Sequence, residues 1–400
     1  MLSSVIQKTM SSIAARSVKE VTSMDVVAST VPNITGLSKR ASFSLASLLS
    51  GEGNDPKTAG VVFRALAKKF TPKTKYHWKQ QKVVDMKMIF TAIANISFAA
   101  HPEEAHALLT ALTRMRGSVE LPGNLIFQIA SQGAGAALAE GHCATAARIV
   151  SMTSLLLVDR RVLDDRGILL HAQALTATLA EELEDGGYRD FGGAGLGSVC
   201  EALARLEIST HEMNDVISDA LQDQSIQFNP LSISQVSRYL SKAASTQSSL
   251  LNHLFERIRI CLNDMTAKDV VNLLTDIHSF NRMEFFSSHD HIISDLVNFL
   301  DAHVGALSAE DCLTVSDALA SLEVHNGSLG IFAAKLEKRL LTSAWIRSGR
   351  TRPKVGALEG LRLLLGRDVR SDVCKIVEQR VVVPQLTAKE NCQRVIARTC

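Results

Sequence analysis

Proline and aromatic residues are scarce in this chain, with 8 prolines in 400 residues and Phe, Trp and Tyr at only 5% of positions. Leu and Ala recur throughout, a bias that favours helices. No convincing run of alternating β-branched residues occurs, and "RVVVP" at Arg380–Pro384 is too short and isolated to make a sheet. Long apolar runs are missing too. The longest uncharged stretch, Leu121 to Ala139, is broken by Pro122, Gly123, Gly133 and Gly135 and carries Asn124, Gln128 and Gln132. It is not a membrane span, which needs about 20 predominantly apolar residues. The seven cysteines, Cys143, Cys200, Cys261, Cys312, Cys374, Cys392 and Cys400, are odd in number, far apart and without a CxxC pair. That excludes a disulfide framework or a zinc ribbon and leaves reduced thiols, several on apolar helix faces.

What is present is a folded chain, 46% hydrophobic and 21% charged, long enough for two or three domains or one elongated array. Its first residues, "MLSSVIQKTMSSIAARSVKEV", place Leu2, Val5, Ile6, Met10 and Ile13 at helical spacing. The charges are Lys8, Arg16 and Lys19, with no acid before Glu20. An amphipathic, Ser-rich, acid-poor leader is the composition of a mitochondrial transit peptide, whereas a secretory signal needs a longer apolar centre. The expected location is the mitochondrial matrix. The alternative is an ordinary surface helix at the start of the fold.

The expected organisation is a targeting segment over 1–28, then a Ser-, Gly-, Thr- and Pro-rich linker over 29–58 with one short helix at Phe43–Leu49. N-terminal helical repeats with a basic loop at 68–82 follow over 59–190, helical-hairpin repeats over 191–340, and a basic helical cap over 341–400. Self-similarity supports the repeats. "LSISQVSRYLSKA" at Leu231, "MTAKDVVNLLTDI" at Met265 and "LSAEDCLTVSDAL" at Leu307 align without gaps. Ser232, Thr266 and Ser308 are the expected N-caps, with Gln235, Asp269 and Asp311 three residues on as capping-box partners. Val236, Tyr239, Leu240 and Ala243 match Val270, Leu273, Leu274 and Ile277, and then Cys312, Val315 and Leu319, as the buried stripe. A second amphipathic helix follows each time. A hairpin of this kind cannot bury its apolar face alone, and stacking several solves that. The predicted fold class is all-α, an α-solenoid of stacked helical hairpins.

"VCEALARLEI" at Val199 and "VSDALASLEV" at Val315 share six of ten positions, and "AIANISF" at Ala92 fits the same small-aliphatic template. Over residues 85 to 340 these segments, each followed by a polar loop and a second helix, resemble the degenerate helical-hairpin repeats of organellar RNA-metabolism proteins, the heptatricopeptide and RAP-associated group. HEAT and armadillo superhelices tolerate the same motifs. The resemblance implies RNA as a partner, together with other subunits of a mitochondrial ribonucleoprotein complex.

One segment offers chemistry of its own. "KKFTPKTKYHWKQQK", Lys68–Lys82, holds six lysines, and no acid occurs between Asp55 and Asp85, where Lys57 and Arg64 also lie. Lysines neutralise phosphates and release counterions, and aromatics stack on unpaired bases. Lys68, Lys69, Lys73, Lys75, Tyr76, Trp78, Lys79 and Lys82 are therefore the expected RNA contacts, on a loop broken by Pro72 between helices at Val61–Lys69 and Lys82–Phe98. Contact with an acidic protein and simple solvation are the alternatives. A second basic cluster runs from Lys338 to Arg370 with Trp345 inside it. There Arg347, Arg350, Arg352 and Lys354, in "WIRSGRTRPK", form a second RNA-facing loop, or else a basic cap on the last repeat.

No catalytic signature accompanies them. GxSxG and HExxH are absent, and His289, His291 and His278 lack a further metal ligand at suitable spacing. "GGAGLGS" at Gly192 and "SQGAGAALA" at Ser131 have no preceding strand and no GK[ST], so they read as an exposed loop and a close helix contact. "EELEDGGYRD" at Glu181 reads as an acidic turn. The sequence thus predicts a non-catalytic scaffold for RNA processing or editing, without cofactor, metal or membrane span. A structural subunit of the mitochondrial ribosome and a protein-binding adaptor without RNA contact are the other readings.

Overall fold

The computed structural model describes residues 39–51, 54–70, 86–116, 119, 121–158, 166–209, 211–243, 248–280, 290–322, 327–342, 361 and 363–365. The targeting segment at 1–28 lies outside them. Among these residues the protein is all-helical, and strand-like pairing is confined to an isolated bridge between Arg116 and Val119. The chain divides into two compact units, Met1–Gln227 and Phe228–Cys400.

In the first unit, α1 (Lys39–Ser50) is longer than the short helix expected at Phe43–Leu49, and it buries Leu45 and Leu49. Helix α2 (Pro56–Phe70) precedes α3 (Lys87–Ile93), α4 (Pro102–Met115), α5 (Gly123–Ala139) and α6 (Cys143–Leu157). Then come α7 (Arg166–Glu182), a π-helical turn (Leu183–Gly187), α8 (Tyr188–Leu206) and α9 (His211–Gln222). Alternate helices pack: α2 on α4, α4 on α6 and α6 on α8, with α5 and α7 against this row. Polar ties repeat at a fixed sequence distance. Gln128 Nε2 donates to the Ala94 carbonyl at 3.0 Å, and the Phe98 amide donates to Gln132 Oε1 at 2.9 Å, each pair 34 residues apart.

Glycine is needed for close approach at two places. A Cβ on Gly133 would stand 2.5 Å from Ala105 Cβ, so α4 and α5 pack as closely as they do only without one. A Cβ on Gly195 would meet the Ala144 backbone at 3.2 Å where α6 lies against α8. "GGAGLGS" is therefore no exposed loop: it is helical, with Gly193, Gly195 and Gly197 buried, and Gly192 takes the left-handed φ of 61° at a kink. "EELEDGGYRD" is likewise helical throughout, spanning the end of α7, the π turn and the start of α8. Local glycine and acid content suggested turns at both places, and tertiary packing overrides that propensity.

The second unit carries the aligned repeats. Three leading helices, α10 (Pro230–Lys242), α12 (Ala267–Ser279) and α14 (Ala309–Ser321), alternate with trailing helices α11 (Ser248–Cys261), α13 (Asp290–Ala302) and α15 (Gly327–Thr342). α10 packs on α12 and α12 on α14, while each trailing helix packs on its own leader and on the neighbouring trailing helix. The matched apolar positions Val236, Tyr239, Leu240, Val270, Leu273, Leu274, Ile277, Cys312, Val315 and Leu319 are all 0% exposed, whereas Ala243, at the C-cap of α10, is half-buried. Burying each large side chain is worth roughly 1.5–3 kcal/mol. Thr266 and Ser308 cap α12 and α14, and Asp269 and Asp311 complete reciprocal capping boxes.

The first repeat differs. Asn229 is the N-cap of α10, Pro230 occupies N1, and Ser232 is the reciprocal partner rather than the cap, so Gln235 has no part in it. Proline is pre-set for the first helical position and draws the helix start upstream. The closing ties are equivalent in the outer hairpins. The Cys261 thiol donates to the Phe228 carbonyl at 3.3 Å and Arg339 Nε to the Leu307 carbonyl at 3.0 Å, each acceptor standing just ahead of its leading helix's cap.

Lys268 of α12 is ion-paired with Asp311 of α14. Burial pushes the Asp311 carboxyl up, but the Lys268 ammonium and the Ser308 hydroxyl and amide outweigh it, and the net pKa lies below the ordinary value. A carboxyl depressed in the folded state adds stability above its unfolded pKa and loses it as pH falls through the folded one. Lys268→Met should therefore lower the thermal midpoint at pH 7, and the gap from the parent should close as pH falls through the carboxylate range. For the cap, Asn229→Ala should cost about 1 kcal/mol, while Gln235→Ala stays within about 0.5 kcal/mol, as urea denaturation would show.

Candidate nucleic-acid interface

Helix α2 begins where Asp55 precedes Pro56. The Thr58 amide donates to Asp55 Oδ1 at 3.0 Å, and proline at the first helical position lacks the N–H that would otherwise be orphaned. The helix thus starts earlier than the expected Val61. Ala59, Val62, Phe63, Leu66 and Ala67 form its buried stripe, and the Phe63 and Phe90 rings stand 6.0 Å apart, holding α2 to α3. Lys57, Arg64 and Lys68 are all exposed. At 3.6 residues per turn they fall within about 20° either side of one line, diametrically opposite the buried stripe. The first turn of α2 carries no acid, and no carboxylate occurs anywhere in the helix. Among the described residues none of the three is in an ion pair.

Several other cations among the described residues are committed to the fold. In the first unit Arg148 pairs with Glu103 at 3.7 Å and Arg189 with Asp223 at 3.0 Å. The Ser225 hydroxyl and amide, followed by Arg189, hold the Asp223 carboxyl down at about 2, so it is ionised at physiological pH. Arg205 pairs with buried Glu201 and donates to the Ser151 carbonyl at 3.0 Å, tying α8 to α6. In the second unit Arg259 meets Asp295 at 3.0 Å and Lys335 meets Asp301 at 2.7 Å, each joining neighbouring trailing helices. Half-buried His106, beside Thr110, has its pKa lowered by burial and then by Arg148, against the opposing pull of Glu103, and stays neutral near pH 7.

Of the expected RNA contacts, Lys68 stands exposed in the last turn of α2, and Lys69 lies in the same helix with its side chain outside what is described. Lys73, Lys75, Tyr76, Trp78, Lys79 and Lys82 fall outside the described residues, as do Arg347, Arg350, Arg352 and Lys354. At the edge of the second basic cluster Lys338 is exposed, but Arg339 is taken up by the Leu307 carbonyl. Lys57 and Arg64 belong to the acid-free run yet were not singled out. The Asp55–Pro56 helix start, which sets their register with Lys68, was the signal that could have found them.

No group of three His, Cys, Asp or Glu side chains converges on a metal-sized site among the described residues, and none of the helices there is long and apolar enough to cross a membrane. Cys143, Cys200, Cys261 and Cys312 are free thiols. Burial pushes the Cys312 thiol up to about 12, with Arg339 opposing, and raises fully buried Cys200 further. No family model and no curated protein matches the chain.

Because the thiolate is the reactive species, iodoacetamide at pH 8 should modify half-exposed Cys143 before Cys200 and Cys312, which should stay unmodified until the protein unfolds. Peptide mass mapping before and after denaturation would check that order.

Proposed function

We propose that this protein is a mitochondrial helical-repeat scaffold, an α-solenoid that binds RNA through basic surfaces and protein partners through its repeats during organellar RNA processing or editing. The observation that carries the reading is the outer face of α2, where Lys57, Arg64 and Lys68 are exposed and, among the described residues, in no ion pair, whereas Arg148, Arg189, Arg205, Arg259, Lys268 and Lys335 are held by carboxylates and Arg339 by a carbonyl. This face leads directly into the lysine- and aromatic-rich segment that ends at Lys82. Phosphate neutralisation supplies sequence-independent affinity, and aromatic stacking adds about 1–3 kcal/mol per base. The similarity of "VCEALARLEI", "VSDALASLEV" and "AIANISF" to heptatricopeptide-type repeats supports the organellar setting, as does the acid-poor leader. The role is one of holding and arranging, without chemistry of its own.

Ultraviolet crosslinking followed by denaturing purification of the native protein from mitochondria tests this directly. The expected result is covalently attached RNA together with a defined set of protein partners. Recovery of partners without RNA would replace the reading with that of a protein adaptor. Co-sedimentation with ribosomal subunits would make the protein a ribosomal component, and a cytosolic distribution of the tagged full chain would remove the organellar role.

A further inference from the structure

We propose that the outer face of α2 is a rail for the phosphodiester backbone of one strand of single-stranded RNA, with Lys57, Arg64 and Lys68 each taking a phosphate. The inference rests on the RNA reading above and adds the site, the strandedness and the number of contacts.

The three cations lie on one line. At about 1.5 Å of rise per residue their backbone positions are roughly 10 Å and 6 Å apart along the axis, a span of about 16 Å. A flexible strand can lie along such a line and present successive phosphates to it. A duplex is stiffer, and its backbones curve away from a straight row.

The placement of Lys57 is not explained by the fold. It occupies the second helical position, where the positive end of the helix dipole disfavours a cation. The Asp55 carboxylate at the cap answers the dipole, but no acid follows it in the first turn to pair with Lys57. Lys68, in the last turn, gains from the same dipole. The row as a whole therefore gives the isolated helix little net return.

Arg64 is arranged for an anion. Its guanidinium nitrogens lie 3.9 and 4.0 Å from where a Cβ on Gly60 would stand, so the side chain runs back along the helix over a residue with no side chain. Its planar donors remain exposed there, and a phosphate can be gripped by two of them. The opposite side of α2 is fixed by Phe63, Leu66 and the other buried residues, so the row is presented by a held helix.

An acidic protein helix is the competing occupant, and the two differ in salt dependence and competitor. On a single strand each phosphate contact contributes about 0.7 to the slope of log K against log salt, so three contribute about 2. The full-length chain is titrated with a labelled oligouridylate over a range of potassium chloride concentrations. An RNA duplex of equal length and polyglutamate of equal charge serve as competitors. The parent should bind oligouridylate in preference to both. The triple variant Lys57→Ala/Arg64→Ala/Lys68→Ala should lose about 2 from the slope, and Lys57→Arg/Arg64→Lys/Lys68→Arg should keep it. Circular dichroism checks that helix content is retained, and Lys57→Gln alone, which should lose about 0.7 from the slope, serves if the triple variant does not fold. Oligouridylate binding with an unchanged slope in the variants would overturn the rail and leave the RNA reading standing. Tighter binding of the duplex would overturn the single-strand assignment. Equal or better competition by polyglutamate would overturn the RNA assignment of this face, and no binding of either RNA would overturn the rail and the broader reading together.

Discussion

The packing of one short amphipathic helix on the next but one is the contact on which everything else in this protein depends. The three leading helices of the second unit are 13 residues each. Helices of that length are marginal in water even when their composition is favourable. Their stability comes from burying Val270, Leu273, Leu274 and Ile277, or the equivalents in α10 and α14, against neighbouring helices. A hairpin removed from its neighbours would expose such a stripe. Caps and polar ties then act on elements that already have a reason to be ordered: they fix where each helix starts and which neighbour it meets. Surface ion pairs such as Arg259–Asp295 and Lys335–Asp301 are worth little singly. Recurring between successive trailing helices, they set register more than they add stability.

Helix class and the buried stripe were legible because both depend on spacing within a few residues. The matched columns from Val236 to Leu319, Ala243 apart, became buried positions, and Thr266 and Ser308 became caps. Ser232 was misread because two capping frames overlap there. Asn229–Pro230 supplies a cap and a first helical residue three positions upstream, and Ser232 fits equally well as the reciprocal partner. The same dipeptide logic, Asp55–Pro56, starts α2 inside what composition suggested was linker. The glycines of α8 misled for another reason. Gly195 lets α6 and α8 approach, and nothing in a local window reveals which distant helix will lie against it.

The unequal repeat offsets have a simple location. α10 and α12 have the same length, and α11 and α13 differ by one residue. The longer second period sits chiefly in the segment between α12 and α13, residues 280–289, against 243–247 in the first hairpin. Loop length adds only slowly to the free-energy cost of closing a hairpin. Period can therefore drift while the helix contacts are kept, and for that reason the repeats align as short blocks rather than as a strict array.

Charge was the least legible property, because its meaning depends on partners far away in the chain. Counting lysines and arginines treats Arg339 and Lys68 alike, yet one is held by the Leu307 carbonyl 32 residues upstream and the other is exposed and, among the described residues, in no ion pair. Arg205 reaches Ser151 across 54 residues, and Lys268 reaches Asp311 across 43. Each such tie removes a cation from the surface available to a ligand. A basic stretch in a repeat protein therefore says little until these internal claims have been subtracted. After that subtraction α2 still presents Lys57, Arg64 and Lys68 on one side, in a helix that contains no carboxylate. Being on a packed helix rather than a free loop, these groups have less freedom to lose when an anion binds, and that lowers the entropic cost of association.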